Sequence, residues 1–267
     1  MRTIDPIGLS AIREAHGRIR DIVLRTPLVR LDIPEAPAEI YLKLENLQPI
    51  GSFKLRGAGN AMALASPEAL ARGVYTASAG NMAQGVAWNA RRIGVPCHAV
   101  VPDHAPQIKL DAIARLGGKA IPVPYEDWWR VIQEHEHPGM EGLFIHPVSD
   151  PAVIAGNGTI GLEILEDLPD VDAVAVPYGG GGLSCGIASS IKALKPDTLV
   201  FACEVETAAP FAASLREGCP QEVDRVRTFV DGIGGKSVLP EMWPLASSLL
   251  DDSLVMPVEA VVDAIRT

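Results

Sequence analysis

Short apolar runs alternate with longer helical patterns between residues 73 and 217, and this alternation limits the possible folds more than any other feature. Runs such as Val74–Ala77 and 172–176 are apolar, and the first of them precedes a helical pattern at Asn81–Ile93. Because a strand that is followed by a helix returns beside a parallel strand, the sequence predicts an α/β fold with open parallel sheets. The other predicted strands are 97–101, 120–123, 143–146 and 198–204, and the other predicted helices are 107–116, 125–136, 152–168, 183–194 and 207–217.

We expect these units to form two lobes. The strand–helix units from about residue 73 to 146 form one compact series, and a second series begins near residue 151. The sequence therefore predicts a small domain over 71–148 and a discontinuous large domain made of 1–70 and 149–267. Ligands of such folds bind at the carboxyl ends of strands and often between lobes, so the strand-to-helix turns are the candidate sites.

The composition excludes several classes of partner. The net charge is −10 and no Lys/Arg-rich block is present, so we expect neither a nucleic acid nor an anionic membrane surface as a partner. No apolar stretch approaches membrane-spanning length, and we expect no signal peptide. The four cysteines are scattered without a Cys-x-x-Cys pair, which argues against a zinc site and a disulfide framework and favours a cytoplasmic protein.

Lys54 is the first candidate catalytic residue. It lies in residues 49–57 (PIGSFKLRG), between an alternating apolar run at 40–44 and an Ala-rich helical pattern at 55–64. An amine at the start of a helix tends to have a lowered pKa, which suits a nucleophile and base. On this segment alone, a solvated lysine is an equally good interpretation.

Two turns predict anion sites. Residues 177–184 (PYGGGGLS) follow an apolar strand and open a helix, and the four glycines let consecutive backbone N–H groups approach a phosphate-sized anion. The run has neither a G-x-G-x-x-G nor a Walker A register, and a merely tight turn is the alternative. Residues 76–85 (TASAGNMAQG) form the second turn, where Asn81 is a candidate helix cap; alone, this turn is an ordinary helix start.

A lysine amine with two anion sites suits a ligand that carries a phosphate and a carbonyl, together with a substrate that carries a carboxylate. Pyridoxal phosphate with an amino acid fits that description. Residues 51–57, 78–81, 150–156 (DPAVIAG) and 179–182 resemble, in order and spacing, the serine/threonine dehydratases among the tryptophan-synthase-β-like (fold-type II) pyridoxal phosphate enzymes.

The resemblance implies a fold and a function. The two lobes would enclose a cofactor cleft, and the enzyme would be a cytoplasmic homodimer that uses pyridoxal 5'-phosphate. It would eliminate water from a small 3-hydroxy amino acid, threonine or serine by default, to give a 2-oxo acid and ammonia.

The resemblance also assigns site residues. Lys54 would form the Schiff base with the cofactor and remove the Cα proton, Phe53 would lie against the cofactor ring, and Asn81 would bond the ring's 3-oxygen. No residue is assigned to a metal. The phosphate would be bound by Gly179, Gly180, Gly181, Gly182 and Leu183, and the substrate carboxylate by Ser78, Ala79, Gly80, Asn81 and Met82.

Several positions depart from the family pattern. The racemases of this fold carry a serine where this chain has Ala79, which cannot transfer a proton, so elimination is favoured over racemisation. Met82 stands where relatives commonly have histidine, and we expect it to alter the pocket wall and to suit a larger or more apolar β-substituent. Pro210 stands where metal-activated relatives have a second carboxylate, so Glu204 is interpreted as a strand-end carboxylate.

Two further features concern metals and the end of the chain. Residues 134–137 (EHEH) suggest a metal by composition, but histidines at i and i+2 do not share a helix face, so a solvated helix end is the interpretation. The family continues beyond the position of Thr267 into the turn that meets the pyridine nitrogen, so we expect this C-terminal part of the fold to be absent and assign no partner to that nitrogen.

Three alternatives remain open from the sequence. One is β-replacement or another β-elimination. The second is a protein that binds pyridoxal phosphate without catalysis. The third is a sugar-phosphate or nucleotide-binding module that uses only the glycine loop.

Overall fold

A computed structural model describes residues 3–266 and confirms the α/β architecture. The strands are β1 (Leu28–Leu31), β2 (Ile40–Lys43), β3 (Val74–Ala77), β4 (Cys97–Pro102), β5 (Lys119–Val123), β6 (Leu143–Phe144), β7 (Ala173–Pro177), β8 (Leu199–Val205) and β9 (Asp252–Met256). Four of them form a parallel sheet in the order β5-β4-β3-β6, three form a parallel sheet in the order β7-β8-β9, and β1 and β2 form an antiparallel pair.

The helices that the longer patterns predict are all present. The prediction for Asn81–Ile93 is confirmed residue for residue, and the others differ by a few residues at their ends. A 3-10 turn covers Glu45–Leu47. The α-helices are α1 (Leu9–Ile19), α2 (Lys54–Leu64), α3 (Pro67–Ala71), α4 (Asn81–Ile93), α5 (Gln107–Arg115), α6 (Tyr125–Glu134), α7 (Pro151–Asp167), α8 (Gly182–Leu194), α9 (Pro210–Glu217), α10 (Trp243–Leu249) and α11 (Val258–Arg266).

Three helices pack closely enough to set the position of Lys54 relative to the glycine loop. A Cβ at Gly156 of α7 would lie 2.6 Å from the carbonyl oxygen of Arg56 in α2. A Cβ at Gly186 of α8 would lie 2.5 Å from the carbonyl oxygen of Ile154 in α7. Because glycine has no Cβ, α2, α7 and α8 form a row in which each backbone touches the next.

A buried charge network anchors the first turn of α2. Arg56 is fully buried, and its guanidinium donates to Glu163 of α7 at 2.6 Å and to Glu45 at 2.7 Å. The ammonium of Lys43 on β2 lies 2.7 Å from the same Glu163 carboxylate. Such paired and hydrogen-bonded ions hold elements in register, because leaving any one of the charges unpaired is costly.

The three-stranded sheet has an apolar edge. Within residues 3–266, β9 pairs only with β8, and its residues Leu254, Val255 and Met256 are 40–45% exposed. Among residues 3–266, no helix combines the length and the apolar character that crossing a membrane requires.

Candidate active site

Lys54 is the first residue of α2, as the sequence predicts for an amine at a helix start. Its Nζ donates to the carbonyl oxygen of Pro147 at 2.8 Å and lies 5.3 Å from the ring centroid of Phe53. The residue as a whole is partly buried, and desolvation by burial lowers the pKa of Lys54 to about 8. Burial is therefore the cause of the lowered pKa, and a fraction of the amine is uncharged near neutral pH.

The glycine loop joins β7 to the start of α8. Gly181 has φ of 95°, in the left-handed region that favours glycine, and a Cβ there would lie 3.1 Å from the hydroxyl of buried Tyr178. A Cβ at Gly180 would lie 2.6 Å from a Val148 methyl, and one at Gly182 would lie 2.8 Å from the Val148 carbonyl oxygen. These positions have no room for a side chain, and their backbone stands at the N-terminus of a 13-residue helix.

Lys54 and the glycine loop meet at one segment. Pro147, which accepts the hydrogen bond from Lys54, precedes Val148, against which the loop packs. A third element joins them, because a Cβ at Gly85 of α4 would lie 3.0 Å from the carbonyl oxygen of Lys54. The structure therefore brings the lysine, the glycine loop and the first turns of α4 together, as the sequence-based site requires.

The turn before α4 differs in detail from the expectation. Gly80, not Asn81, occupies the N-cap position, and Asn81 is an exposed first residue of the helix without a capping role. The hydroxyl of Ser78 accepts from the Gly80 N–H at 3.1 Å and shapes the turn. Ala79 lies between these two residues and is partly buried.

Met82 does not supply a pocket wall. Its side chain is 1% exposed and lies in the hydrophobic cluster beneath α4, so the expectation of an altered pocket wall, with the larger β-substituent inferred from it, is not supported. Helical periodicity explains the difference, because the second residue of α4 points back toward the sheet. Only the backbone N–H of Met82 remains available to bind a substrate carboxylate.

These residues fit pyridoxal phosphate. The glycine loop offers backbone N–H groups at a helix N-terminus where side chains are sterically excluded, which suits a phosphate. Lys54 offers an amine that is partly uncharged at neutral pH, which suits condensation with an aldehyde. Leu183 is partly buried and packs against the main core directly after the loop.

The interpretation of residues 134–137 as a solvated helix end is wrong for His135. His135 caps the C-terminus of α6 in a left-handed conformation, and its side chain turns inward. Its Nε2 lies 2.8 Å from a Glu241 carboxylate oxygen, and its ring stacks on His146 at 4.1 Å. Sequence reasoning missed this cluster because its members are about ten and a hundred residues apart.

The His135, His146 and Glu241 side chains place three possible metal-ligand atoms within 4.8 Å of one another. Both nitrogens of His146 already have partners in the backbone: Nδ1 accepts from the N–H of Ser149 at 2.7 Å, and Nε2 lies 3.0 Å from the carbonyl oxygen of Ile132. The cluster is therefore a hydrogen-bonded network.

Glu204 lies near the end of β8 and is buried. Its carboxylate accepts from the N–H groups of Phe211 and Ala212 in α9, at 2.9 and 2.8 Å, and from the Ser253 hydroxyl at 2.7 Å. Burial raises the pKa of Glu204, and these hydrogen bonds oppose the rise. Glu204 thus binds the start of α9, where Pro210 is the first residue.

Comparison with known proteins identifies relatives of the whole chain. The chain is 41% identical over 264 residues to the L-threonine ammonia-lyase of Thermotoga maritima, covering 97% of this chain and 65% of that protein. It is 34% identical to a putative threonine dehydratase of Sinorhizobium fredii, covering all of this chain and 82% of that one. The crystal structure of serine racemase from Dictyostelium discoideum superposes with a TM-score of 0.86 at 34% identity, covering 98% of this chain and 85% of that one.

The chain spans 51–65% of the length of the threonine ammonia-lyases and dehydratases to which it is 40–43% identical. The sequence profile described as "Pyridoxal-phosphate dependent enzyme" matches residues 19–267. The resemblance to the serine/threonine dehydratases is thereby confirmed, and the chain belongs to the family of pyridoxal-phosphate dependent enzymes.

Proposed function

We propose that this protein is a pyridoxal-phosphate dependent dehydratase that converts a small 3-hydroxy amino acid, threonine or serine by default, to a 2-oxo acid and ammonia. The observation that carries the proposal is the convergence of Lys54 and the glycine loop on residues 147–148. An amine whose pKa is about 8 therefore lies close to a glycine loop whose backbone N–H groups suit a phosphate. The named relatives at about 40% identity include threonine ammonia-lyases.

Each part of the site has one task in this proposal. The backbone N–H groups of 179–183 hold the cofactor phosphate, and Phe53 lies against the cofactor ring. The turn at 78–82 binds the substrate carboxylate through backbone N–H groups, and Asn81 bonds the ring oxygen. When bound, the cofactor supplies an electron sink for the charge that develops at Cα.

Lys54 is the base in the reaction. With the substrate bound, the free Nζ of Lys54 would remove the Cα proton, and the β-hydroxyl would leave as water with acid assistance. Water then hydrolyses the released unsaturated amine to a 2-oxo acid and ammonia, so one water is lost and one is consumed. A lysine whose pKa is near 8 suits this task, because its free base is populated at neutral pH.

Racemisation of serine is the second candidate, because a serine racemase is among the solved structures that this chain resembles. Two-base racemisation needs a second acid on the opposite face of Cα, and the methyl group of Ala79 cannot transfer a proton. Elimination is therefore the function that these residues support best. Membership of the family removes the sugar-phosphate or nucleotide-binding alternative.

A direct assay separates the remaining candidates. The purified protein, loaded with pyridoxal phosphate, is incubated with each enantiomer of serine and threonine, and 2-oxo acid and ammonia are measured together. We expect both products in equal amounts. Bound cofactor without ammonia from any 3-hydroxy amino acid would support a silent binding protein, and trapping by an added thiol without 2-oxo acid would support β-replacement.

The organisation of the molecule is also a proposal. We propose a small domain over 71–148, which contains the four-stranded sheet, and a large domain of 1–70 and 149–267, with the cofactor cleft between them. We propose a homodimer, supported by the exposed apolar edge strand β9. A cytoplasmic location is supported by four cysteines that are all free thiols.

A further inference from the structure

The peptide unit between Pro147 and Val148 is held at both of its polar ends. Its carbonyl oxygen accepts from Nζ of Lys54 at 2.8 Å, and its N–H donates to Nδ1 of His146 at 3.1 Å. Because a peptide unit is planar, its C=O and N–H directions cannot change independently. Whatever holds the N–H of Val148 therefore also aims the carbonyl that faces Lys54.

His146 is well placed to hold this N–H. It is 2% exposed, and its Nδ1 accepts a second N–H, that of Ser149, at 2.7 Å. An acceptor of two N–H groups carries no hydrogen, so the hydrogen is on Nε2, which donates to the carbonyl oxygen of Ile132 in α6 at 3.0 Å. The ring of His146 is thus fixed in one tautomer and one orientation.

A second set of contacts fixes His146 in turn. The Ser149 hydroxyl lies 3.1 Å from Nδ1 of His146 and donates to Oε1 of Glu241 at 2.6 Å. Nε2 of His135 lies 2.8 Å from the same Oε1, and the two histidine rings stack at 4.1 Å. His135 adopts φ of 64°, which is unfavourable for a residue with a Cβ, so its inward position is maintained against a local preference.

The network also joins separate parts of the fold. His135 ends α6, Ser149 stands just before α7, and Glu241 lies in the turn before α10. The segment it holds carries Val148, whose side chain and carbonyl fill the space that Gly180 and Gly182 leave open. A shift of this segment would disturb the partner of Lys54 and the glycine loop at once.

We propose that His135, Ser149 and Glu241 are positioning residues that act through His146 to keep the Pro147–Val148 peptide facing Lys54. The inference rests on the proposed function only in taking Lys54 as the lysine that receives the cofactor. It assigns to the buried carboxylate of Glu241 a role in cofactor binding, although Glu241 lies outside the glycine loop and outside the helices that pack beside it.

The test compares Glu241→Leu, which removes the acceptor, with Glu241→Gln, which keeps an oxygen for Ser149 and His135. The control is Glu136→Leu, the same change at an exposed carboxylate that follows His135 just beyond the end of α6. Amide hydrogen exchange in the cofactor-free protein is followed by NMR at Val148 and Ser149, with Val176 in β7 as the reference amide. The affinity for pyridoxal phosphate is measured by absorbance titration.

We expect Glu241→Leu to accelerate exchange at Val148 and Ser149 without changing Val176, and to weaken cofactor binding about tenfold, the lower end of the loss that removal of an outer partner causes at metal sites. Glu241→Gln should restore most of both values, and Glu136→Leu should match the unaltered protein. If Glu241→Leu does not fold, Ser149→Ala is the smaller change that replaces it, and we expect it to alter exchange and cofactor affinity in the same direction.

Unchanged exchange at Val148 and Ser149, or equal acceleration at Val176, would overturn the positioning role. The exchange result does not depend on activity. If the unaltered protein fails to attach pyridoxal phosphate at Lys54, the proposed function fails, while the exchange data still decide whether the network holds the peptide.

Discussion

The surroundings of Lys54 shift its amine toward the free base, although the ammonium ion still predominates below pH 8. Burial lowers its pKa from 10.5 to about 8, and its hydrogen bond to Pro147 places Nζ beside the segment that the glycine loop touches. Functional sites commonly retain groups whose burial destabilises the folded protein. For Lys54, the loss of folding stability that its burial causes can be measured.

Lys54→Met should stabilise the cofactor-free protein at neutral pH. Below pH 8 the lysine is protonated in both folded and unfolded states, and the folded state bears the cost of a desolvated ammonium. As the pH rises from 8 to 10.5 the folded state releases its proton first, so this cost disappears. We expect a gain of about 1–2 kcal/mol at pH 7, discounted for partial exposure. Urea unfolding at several pH values measures this gain in the free energy of unfolding. A gain that persists above pH 10.5 would show that the desolvated ammonium is not its cause.

In the proposed reaction, Ala79 leaves one face of Cα without a proton donor. Ala79→Ser would place a hydroxyl where the racemases of this fold carry one, so we expect D-serine to form from L-serine at a rate above that of the unaltered protein. Chiral chromatography of the reaction mixture measures this, and Ala83→Ser, in the buried face of α4, is the matched control. No gain in racemisation would mean that position 79 does not face Cα.

At the scale of elements, glycines determine how α2, α7 and α8 approach one another and residues 147–148. The sheet-to-helix turn at Gly182 tolerates no Cβ, because its nearest neighbour is a backbone carbonyl oxygen at 2.8 Å rather than a flexible side chain. The site thus depends on packing as much as on chemistry.

Gly182→Ala should lower the free energy of unfolding by about 1–3 kcal/mol, as overpacking does in well-packed interiors. It should also weaken binding of pyridoxal phosphate, because relief of the contact moves either the loop or Val148. Gly17→Ala in α1 is the control: nothing lies within 4 Å of its Cβ, and we expect it to stabilise by about 0.5–1 kcal/mol. Equal, small effects of both changes would contradict the close packing.

The elements that the sequence predicts well are those with a strong local pattern. β3 and α4 match residue for residue, because β-branched and helical periodicities there agree with the tertiary structure. The elements without a specific prediction include α10 and β9, which are short and lack a distinctive periodicity. The direction of a side chain is harder to predict from a local pattern. Met82 points into the core and His135 turns inward, and both directions depend on neighbours that are distant in sequence.

At the scale of the whole molecule, two parallel sheets place the predicted site residues together, while the three-stranded sheet leaves an apolar edge. The sequence predicts the parallel architecture, but not the order β5-β4-β3-β6, because strand order depends on long-range pairing. Nor does it identify the exposed β9 edge. Such an edge presents unpaired backbone groups beside apolar side chains, which favours association with another chain.

We expect the protein to dimerise through this edge. Leu254→Lys combined with Met256→Lys adds charge to one face of β9 and should shift the protein toward monomer in sedimentation velocity, while the far-ultraviolet circular dichroism spectrum of the folded chain stays unchanged. Asp252→Lys, on an already polar position of the same strand, is the control. A monomeric unaltered protein, or an unchanged dimer in the double variant, would contradict this expectation.

We expect pyridoxal phosphate to be bound on Lys54, between α4 and the glycine loop. The most direct measurement is reduction of the cofactor-loaded protein with borohydride, followed by peptide mass spectrometry. We expect a phosphopyridoxyl group on Lys54, together with an absorbance band near the visible edge that Lys54→Ala abolishes along with turnover. A label on any other lysine, or a colourless protein that borohydride leaves unmodified, would contradict it.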